Sequence, residues 1–237
     1  QARPFLMIAV ASLLLGVGLP VLLAAQFKPL VALTLGLCFW VGFNMVRDIV
    51  VKARTAKSGM LAGLSRLSAS YWGMQTAHAG LLVAVIGIAL TSAYSIERDV
   101  RLSPGARVDV EGYAFAWTGV RSYAGPNYTA EQGEVRIYRD GELRETLHPE
   151  KRRYNVRGQV MTEAAISPGL FRDIYVAMGE PLEGDAWAVR VYYKPFIRWT
   201  WLGALIMVLG GMISMTDRRY RLAVRSRTDA LAAERAK

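Results

Sequence analysis

Cysteine is almost absent from this 237-residue sequence; Cys38 stands alone. One thiol excludes an intrachain disulfide, a CxxC thiol shuttle and a CxxCH haem attachment site. Histidine is nearly as scarce, with only His78 and His148. No metal-spaced cluster, no recognisable Ser/His/Asp set and no phosphate loop occurs, so zinc, hydrolase and nucleotide-binding classes gain no support. Acidic residues are also few, 19 against 29 Lys and Arg, for a net charge of +10. An initiator Met is missing too, and Gln1 in its place suggests a processed or partial chain.

Apolar residues, by contrast, make up 53% of the chain. They collect in four runs: Phe5 to Ala25, Pro29 to Val46, Gly73 to Tyr94 and Trp199 to Thr216. Each is long enough to cross a hydrocarbon core of about 30 Å as a helix. Lipid offers the backbone no hydrogen bonds, so the runs are expected to be helical. The first is too long for a signal-peptide core, and a second follows almost at once. Positive charge flanks these runs. Arg47, Lys52, Arg54, Lys57 and Arg66 face only Asp48 in a loop over 47–72, and seven Lys and Arg crowd the tail 217–237. The positive-inside rule places both segments, with Arg3, in the cytoplasm. Residues 95–198 then lie outside. The basic residues mark topology and attraction to anionic lipid, not nucleic-acid binding.

The outer segment has strand signals. RVDVEGYAF (107–115), EVRIYRD (134–140), ELRETL (142–147), VMTEAAI (160–166) and WAVRVYYK (187–194) are β-rich and separated by Gly and Pro. Asp140-Gly141 predicts a two-residue hairpin. Val189, Val191 and Tyr193 alternate with Arg190 and Tyr192, as in a half-buried strand. The expected architecture is a membrane protein of four transmembrane helices. A small extracytoplasmic all-β domain, barrel or sandwich, of seven or eight strands stands between helices three and four. His148 beside Pro149 reads as a loop histidine. Lys151-Arg152-Arg153-Tyr154 reads either as a charged strand edge or as an anion site suited to carboxylates.

His78 lies inside the third run. At about 100° per residue, Met74, Leu81, Leu82 and Val85 fall within about 40° of it. Gly73, Ala77, Gly80, Ala84 and Gly87 gather on another face, small enough for close helix packing. An imidazole on a bulky apolar face is a functional candidate. It could bond a neighbouring helix, ligate haem iron, or relay protons; no second ionisable residue in this run supports the relay. The residues alone leave the helix-bonding role ahead of the ligand role. A haem ligated here would need a second axial group, from Met45, Met212 or, as we favour, a histidine elsewhere.

In order, HAGLLVAVIGIALTSAYSIERDV, PEKRRYN, MTEAAI, FRDIYVAMGE, AWAVRVYYKPFIRWTWLG and DRRYR, spread over about 75 to 220, resemble the C-terminal part of CcmF-type cytochrome c haem lyases. The resemblance implies a multi-pass protein of the bacterial inner membrane with a periplasmic domain. It implies transfer of haem from the chaperone CcmE to the CxxCH thiols of apocytochrome c, alongside CcmH-type and CcmG-type thiol proteins. It also implies a haem b with two histidine ligands, one of which matches His78. By block position, Lys151, Arg152, Arg153, Tyr154 and Glu163 are further site candidates. The tryptophan-rich WWD segment of the family is absent, as are its other haem histidines. The chain is therefore expected to be a C-terminal piece or split subunit, incomplete as a catalyst without a WWD-bearing N-terminal part. A cytochrome-b-like electron-transfer subunit and a cofactor-free scaffold are the alternatives.

Overall fold

The computed structural model describes residues 2–24, 26–55, 59–156 and 158–217. Lys57 and the basic tail from Arg218 onward lie outside the described residues. Two compact units result: Gln1–Ala89 with Trp199–Lys237, and Leu90–Arg198.

Helices make up the first unit: α1 (Ala2–Leu23), α2 (Pro29–Ala53), α3 (Met60–Ser65), α4 (Ala69–Tyr94) and α5 (Ile197–Met215). All but α3 are long and apolar enough to cross a membrane. Pro29 opens α2, where a missing N–H costs nothing and the ring presets the helical φ. This helix runs past Val46 to Ala53, because Asp48 and Lys52 pair across one turn at 2.5 Å and continue it with charge. Two polar caps start α4. Ser68 Oγ accepts from the Tyr71 N–H at 3.2 Å, and Asp217, beyond the end of α5, accepts from the Ser70 N–H at 2.9 Å.

Small residues set the helix contacts. In α4, Gly73, Gly80 and Gly87 recur every seventh residue and are buried. A Cβ on Gly80 would lie 2.6 Å from Gly203 O and 2.6 Å from Met207 N of α5. A Cβ on Gly73 would meet Gly210 O at 2.5 Å, and one on Gly87 would meet Thr200 N at 2.8 Å. The face expected to be flat is thus the packing seam of α4 with α5, running antiparallel. Without a hydrophobic drive in lipid, such backbone approach is what holds helices together. A second seam brings Gly16 of α1 against Gly36 of α2, where a Cβ on Gly16 would sit 2.6 Å from Gly36 N.

The second unit is a sandwich. One sheet orders β1 (Ile96–Leu102), β10 (Trp187–Pro195), β9 (Arg172–Pro181) and β8 (Ala165–Ser167). The other orders β2 (Arg107–Val110), β3 (Tyr113–Ala124), β4 (Tyr128–Arg139), β6 (Glu150–Tyr154) and β7 (Val160–Glu163), with β5 (Glu142–Leu147) also on β4. The strand pairs are antiparallel, with register shifts at Trp117/Gly119, Ile137/Tyr138 and Trp187/Val189. The inner faces bury Phe115, Trp117, Val135, Ile137, Ile174, Val176, Met178, Val189 and Val191. Trp117 lies over Gly133, where a Cβ would come within 2.5 Å of the indole. Each such fully buried side chain contributes roughly 1.5–3 kcal/mol.

Among the described residues, ten strands replace the seven or eight expected. The run 107–115 is two strands, broken by Glu111-Gly112 with φ of 50° and 72°. The run 160–166 likewise divides between β7 and β8. Asp140-Gly141, with φ of 55° and 80°, makes the expected hairpin between β4 and β5. Positive φ at both central residues is the turn that matches strand twist.

Candidate functional site

His78 sits in the tenth position of α4, away from the glycine seam. Its Nδ1 lies 2.8 Å from the Met74 carbonyl oxygen, one turn back. A carbonyl only accepts, so Nδ1 carries the proton and donates. Nε2 then holds the lone pair. The ring is exposed, as are Met74 and Leu81, while Leu82 and Val85 are half-buried. The imidazole thus bonds its own helix rather than a neighbour, on an exposed and bulky apolar face. Anchoring Nδ1–H on a carbonyl is how metal-ligating histidines are oriented and made more basic.

About 60° round α4 from His78, Gln75 is buried and begins a polar chain that the sequence reading missed. Gln75 Nε2 lies 2.9 Å from Tyr71 Oη, and Tyr71 Oη donates to Asp48 Oδ2 of α2 at 2.8 Å. Lys52 completes it on Asp48 and lies over the Tyr71 ring at 4.5 Å. The signal was present as two four-residue spacings, Asp48–Lys52 and Tyr71–Gln75, at the ends of apolar runs. This network ties α2 to α4 and does not touch His78.

The other candidate residues lie in the sandwich. Lys151, Arg152, Arg153 and Tyr154 occupy β6, and Glu163 lies on β7 opposite Glu150. Most of this charge is already matched. Lys151 Nζ donates to Gly179 O at 3.1 Å and pairs with Glu180 at 2.6 Å. Arg152 pairs with Glu150 at 2.8 Å and Glu163 at 3.7 Å, and lies 4.7 Å over the Tyr128 ring. Tyr154 packs edge-on against Tyr128. Arg153 is exposed and makes no ion pair among the described residues. It faces a cavity of about 310 Å³ that Glu131 and Glu180 also line. The four residues are therefore chiefly a mixed-charge strand, not a cluster of free cations. His148 is exposed in the short link between β5 and β6.

Glu150 is the residue this strand is built around, and sequence reasoning overlooked it. It is 7% exposed, and it accepts from Tyr123 Oη, Gln132 Nε2 and Arg152 Nε. Burial would raise its pKa, but the three donors outweigh burial and hold it below the usual glutamate range. Tyr123 is pushed up to about 12 by hydrogen bonding with Tyr128 and with Glu150. A lowered carboxylate stabilises the fold above its unfolded pKa and loses that stabilisation as pH falls through the folded value. The raised phenol gives the opposite arm, lost as pH climbs past 10 toward about 12. Glu150→Gln is expected to destabilise the fold by about 1–3 kcal/mol at pH 7. In thermal melts that gap should close as pH drops below the ordinary glutamate value of 4.5. A gap that stays constant from pH 7 to pH 3 would show that the carboxylate's charge is not what matters.

Comparison with known proteins agrees with this architecture. A family model described as the CcmF C-terminal beta-sandwich matches residues 93–195. The chain is 52% identical over 188 residues to the cytochrome c-type biogenesis protein CcmF of Pseudomonas aeruginosa, covering 79% of this chain and 28% of that protein. It is 40% identical over 225 residues to CcmF of Escherichia coli K12, covering 94% of this chain and 34% of that one. The solved structure named Cytochrome c Heme Lyase CcmF superposes with a TM-score of 0.68 at 20% identity, over 89% of this chain and 34% of that chain. At that identity it speaks for the fold alone. The chain thus spans about a third of the length of these relatives.

Proposed function

Since the chain belongs, as a C-terminal part, to the CcmF-type cytochrome c haem lyase family, we propose that it supplies an axial haem ligand and an outer docking domain to a membrane machine that attaches haem to apocytochrome c. The observation that carries this reading is His78: Nδ1–H donates to Met74 O, which leaves Nε2 free of that bond, on an exposed face that Met74 and Leu81 share. That residue set fits a haem b. A neutral imidazole is an ordinary axial ligand, and aliphatic side chains suit a porphyrin face. Haem bound there supplies a one-electron couple whose potential depends on its axial ligands and their hydrogen bonds.

The chain's own residues have the following roles in this reading. His78 holds the iron and is itself held by Met74 O. The α4–α5 seam keeps the ligand helix in place without occupying its other face. The second axial ligand is a histidine of the WWD-bearing N-terminal part. The basic segments lie in the cytoplasm and the sandwich lies in the periplasm of the bacterial inner membrane. There the sandwich meets CcmE, with CcmH-type and CcmG-type thiol proteins presenting apocytochrome c. Arg153, the exposed cation of β6, belongs to that docking surface and not to a haem-binding chamber.

The test is direct. Membranes containing this chain with its N-terminal counterpart should give a b-type pyridine haemochrome spectrum. A strain lacking the chain should lose c-type cytochromes, seen as missing haem-stained bands. Normal c-type cytochromes in that strain would sink the proposal.

A further inference from the structure

The turn between β8 and β9 reads Ser167-Pro168-Gly169-Leu170-Phe171, and its base is fastened by polar contacts. The Asp173 carboxylate, 4% exposed, accepts from the Gly169 N–H at 3.0 Å and from Arg198 Nε at 2.9 Å. Arg172 Nη1 donates to Ser167 O at 3.1 Å and to Ser167 Oγ at 3.0 Å. A Cβ on Gly169 would stand 2.7 Å from Arg172 O, so only glycine closes the turn this tightly. Phe171 O accepts from the Phe196 N–H at 2.8 Å, and the two rings meet edge-on at 5.8 Å. Above this base the tip is apolar and outward: Leu170 is 59% exposed and Phe171 58%.

Chain connectivity says what such a tip meets. Phe196 is followed at once by α5. Thr91, near the end of α4, donates through Oγ1 to Pro195 O at 2.6 Å, and Ile96 pairs with Tyr193. Both membrane helices therefore join the sandwich at the end that carries this turn. Tyr94 closes one helix, and Trp199 and Trp201 open the other. These are the residue types that collect at the hydrocarbon–water boundary.

We infer that Leu170 and Phe171 insert into the interfacial layer of the bilayer, making a third attachment of the sandwich beside its two chain crossings. The occupant is lipid, at the headgroup–acyl boundary, to a depth of roughly 5–10 Å. A third attachment restricts rotation of the sandwich about the paired crossings. The inference rests on α4 and α5 spanning the membrane and is independent of haem.

The experiment uses the chain with its N-terminal counterpart in vesicles of phosphatidylcholine and phosphatidylglycerol. Phe171→Cys and Leu170→Cys are labelled separately with an NBD fluorophore, with the unaltered chain measured as background because Cys38 is buried. Val156→Cys is the aqueous reference. It is 90% exposed and follows β6 beside the far end of β3, whose near end, Tyr113, contacts Arg172. Labels at 170 and 171 should emit to the blue of the label at 156. Doxyl-labelled lipid should quench them, and iodide should quench them several-fold less than the reference. Iodide quenching equal to that at 156 would overturn the inference, as would protection from both quenchers, which would mean that protein covers the turn. An adequate signal at either 170 or 171 suffices if the other variant misfolds.

Discussion

His78→Ala is expected to remove the b-type haem signal while leaving the protein itself at its normal level. The two halves of that expectation come from the same geometry. The imidazole makes one described hydrogen bond, to the Met74 carbonyl of its own helix. That carbonyl already takes part in the helix and loses little when the side chain is cut back. The ring is exposed, so no cavity forms, and Ala is the best helix former. Surface changes of this kind usually stay within about 0.5 kcal/mol. If His78 is the proposed axial ligand, its loss is a different matter. Weakening a ligand's hydrogen-bonding support alone typically costs about 10–100-fold in metal affinity or activity, and deletion of the ligand exceeds that. The pyridine haemochrome signal per chain should fall to background, and c-type cytochromes should vanish with it. His78→Met offers a sharper comparison: thioether ligation should retain some haem with a raised potential. A wild-type b-type spectrum in His78→Ala, at equal protein level, would remove His78 from the ligand set.

That the face of α4 carrying His78 differs from its packing face could be read from the sequence, because helix geometry fixes it. Steps of about 100° separate the small residues from the bulky ones, and Gly73, Gly80, Ala84 and Gly87 are all buried, together with Gln75 off that face. The direction of the imidazole could not be read in this way. Bonding to another helix and bonding to residue 74 use the same residue at the same angle, and only the side-chain rotamer separates them. Helix ends were legible only where apolarity stops. α2 continues through Arg47, Asp48 and Lys52 because an ion pair along its surface, not lipid, supports its last turns. In the sandwich, β10 announced itself by alternation, and Val189 and Val191 are buried as expected. β6 did not. Lys151-Arg152-Arg153-Tyr154 suggests an exposed strand edge, yet β6 pairs with β4 on one side and β7 on the other, and Tyr123, Gln132 and Glu180, all remote in sequence, satisfy its charges.

The second large effect belongs to the seam. Gly80→Leu should separate α4 from α5, whereas Gly211→Leu, nearby on the same pair of helices, should be close to neutral. A Cβ at 80 would be 2.6 Å from both Gly203 O and Met207 N, whereas one at 211 would have nothing within 4 Å. The obstacle at 80 is backbone, so no rotamer change on α5 can relieve it. Overpacking a core with flexible neighbours costs about 1–3 kcal/mol, and a backbone obstacle belongs at or beyond the top of that range. Nothing compensates in lipid, since the added isobutyl group is as well solvated by acyl chains as by a neighbouring helix. At Gly211 the same group replaces glycine inside a helix and gains about 0.8–1.0 kcal/mol of helix propensity at most. The opposed signs separate loss of packing from a general intolerance of bulk in these helices. Accumulation in the membrane, resistance to trypsin and haem content should all fall in Gly80→Leu and hold in Gly211→Leu. Gly203→Leu should reproduce the defect from the other side, because a Cβ on Gly203 would stand 2.5 Å from Gly80 O. Equal behaviour of the 80 and 211 variants would mean that the seam does not hold α4. The placement of His78 would then depend on the α2 contact through Asp48 and Tyr71.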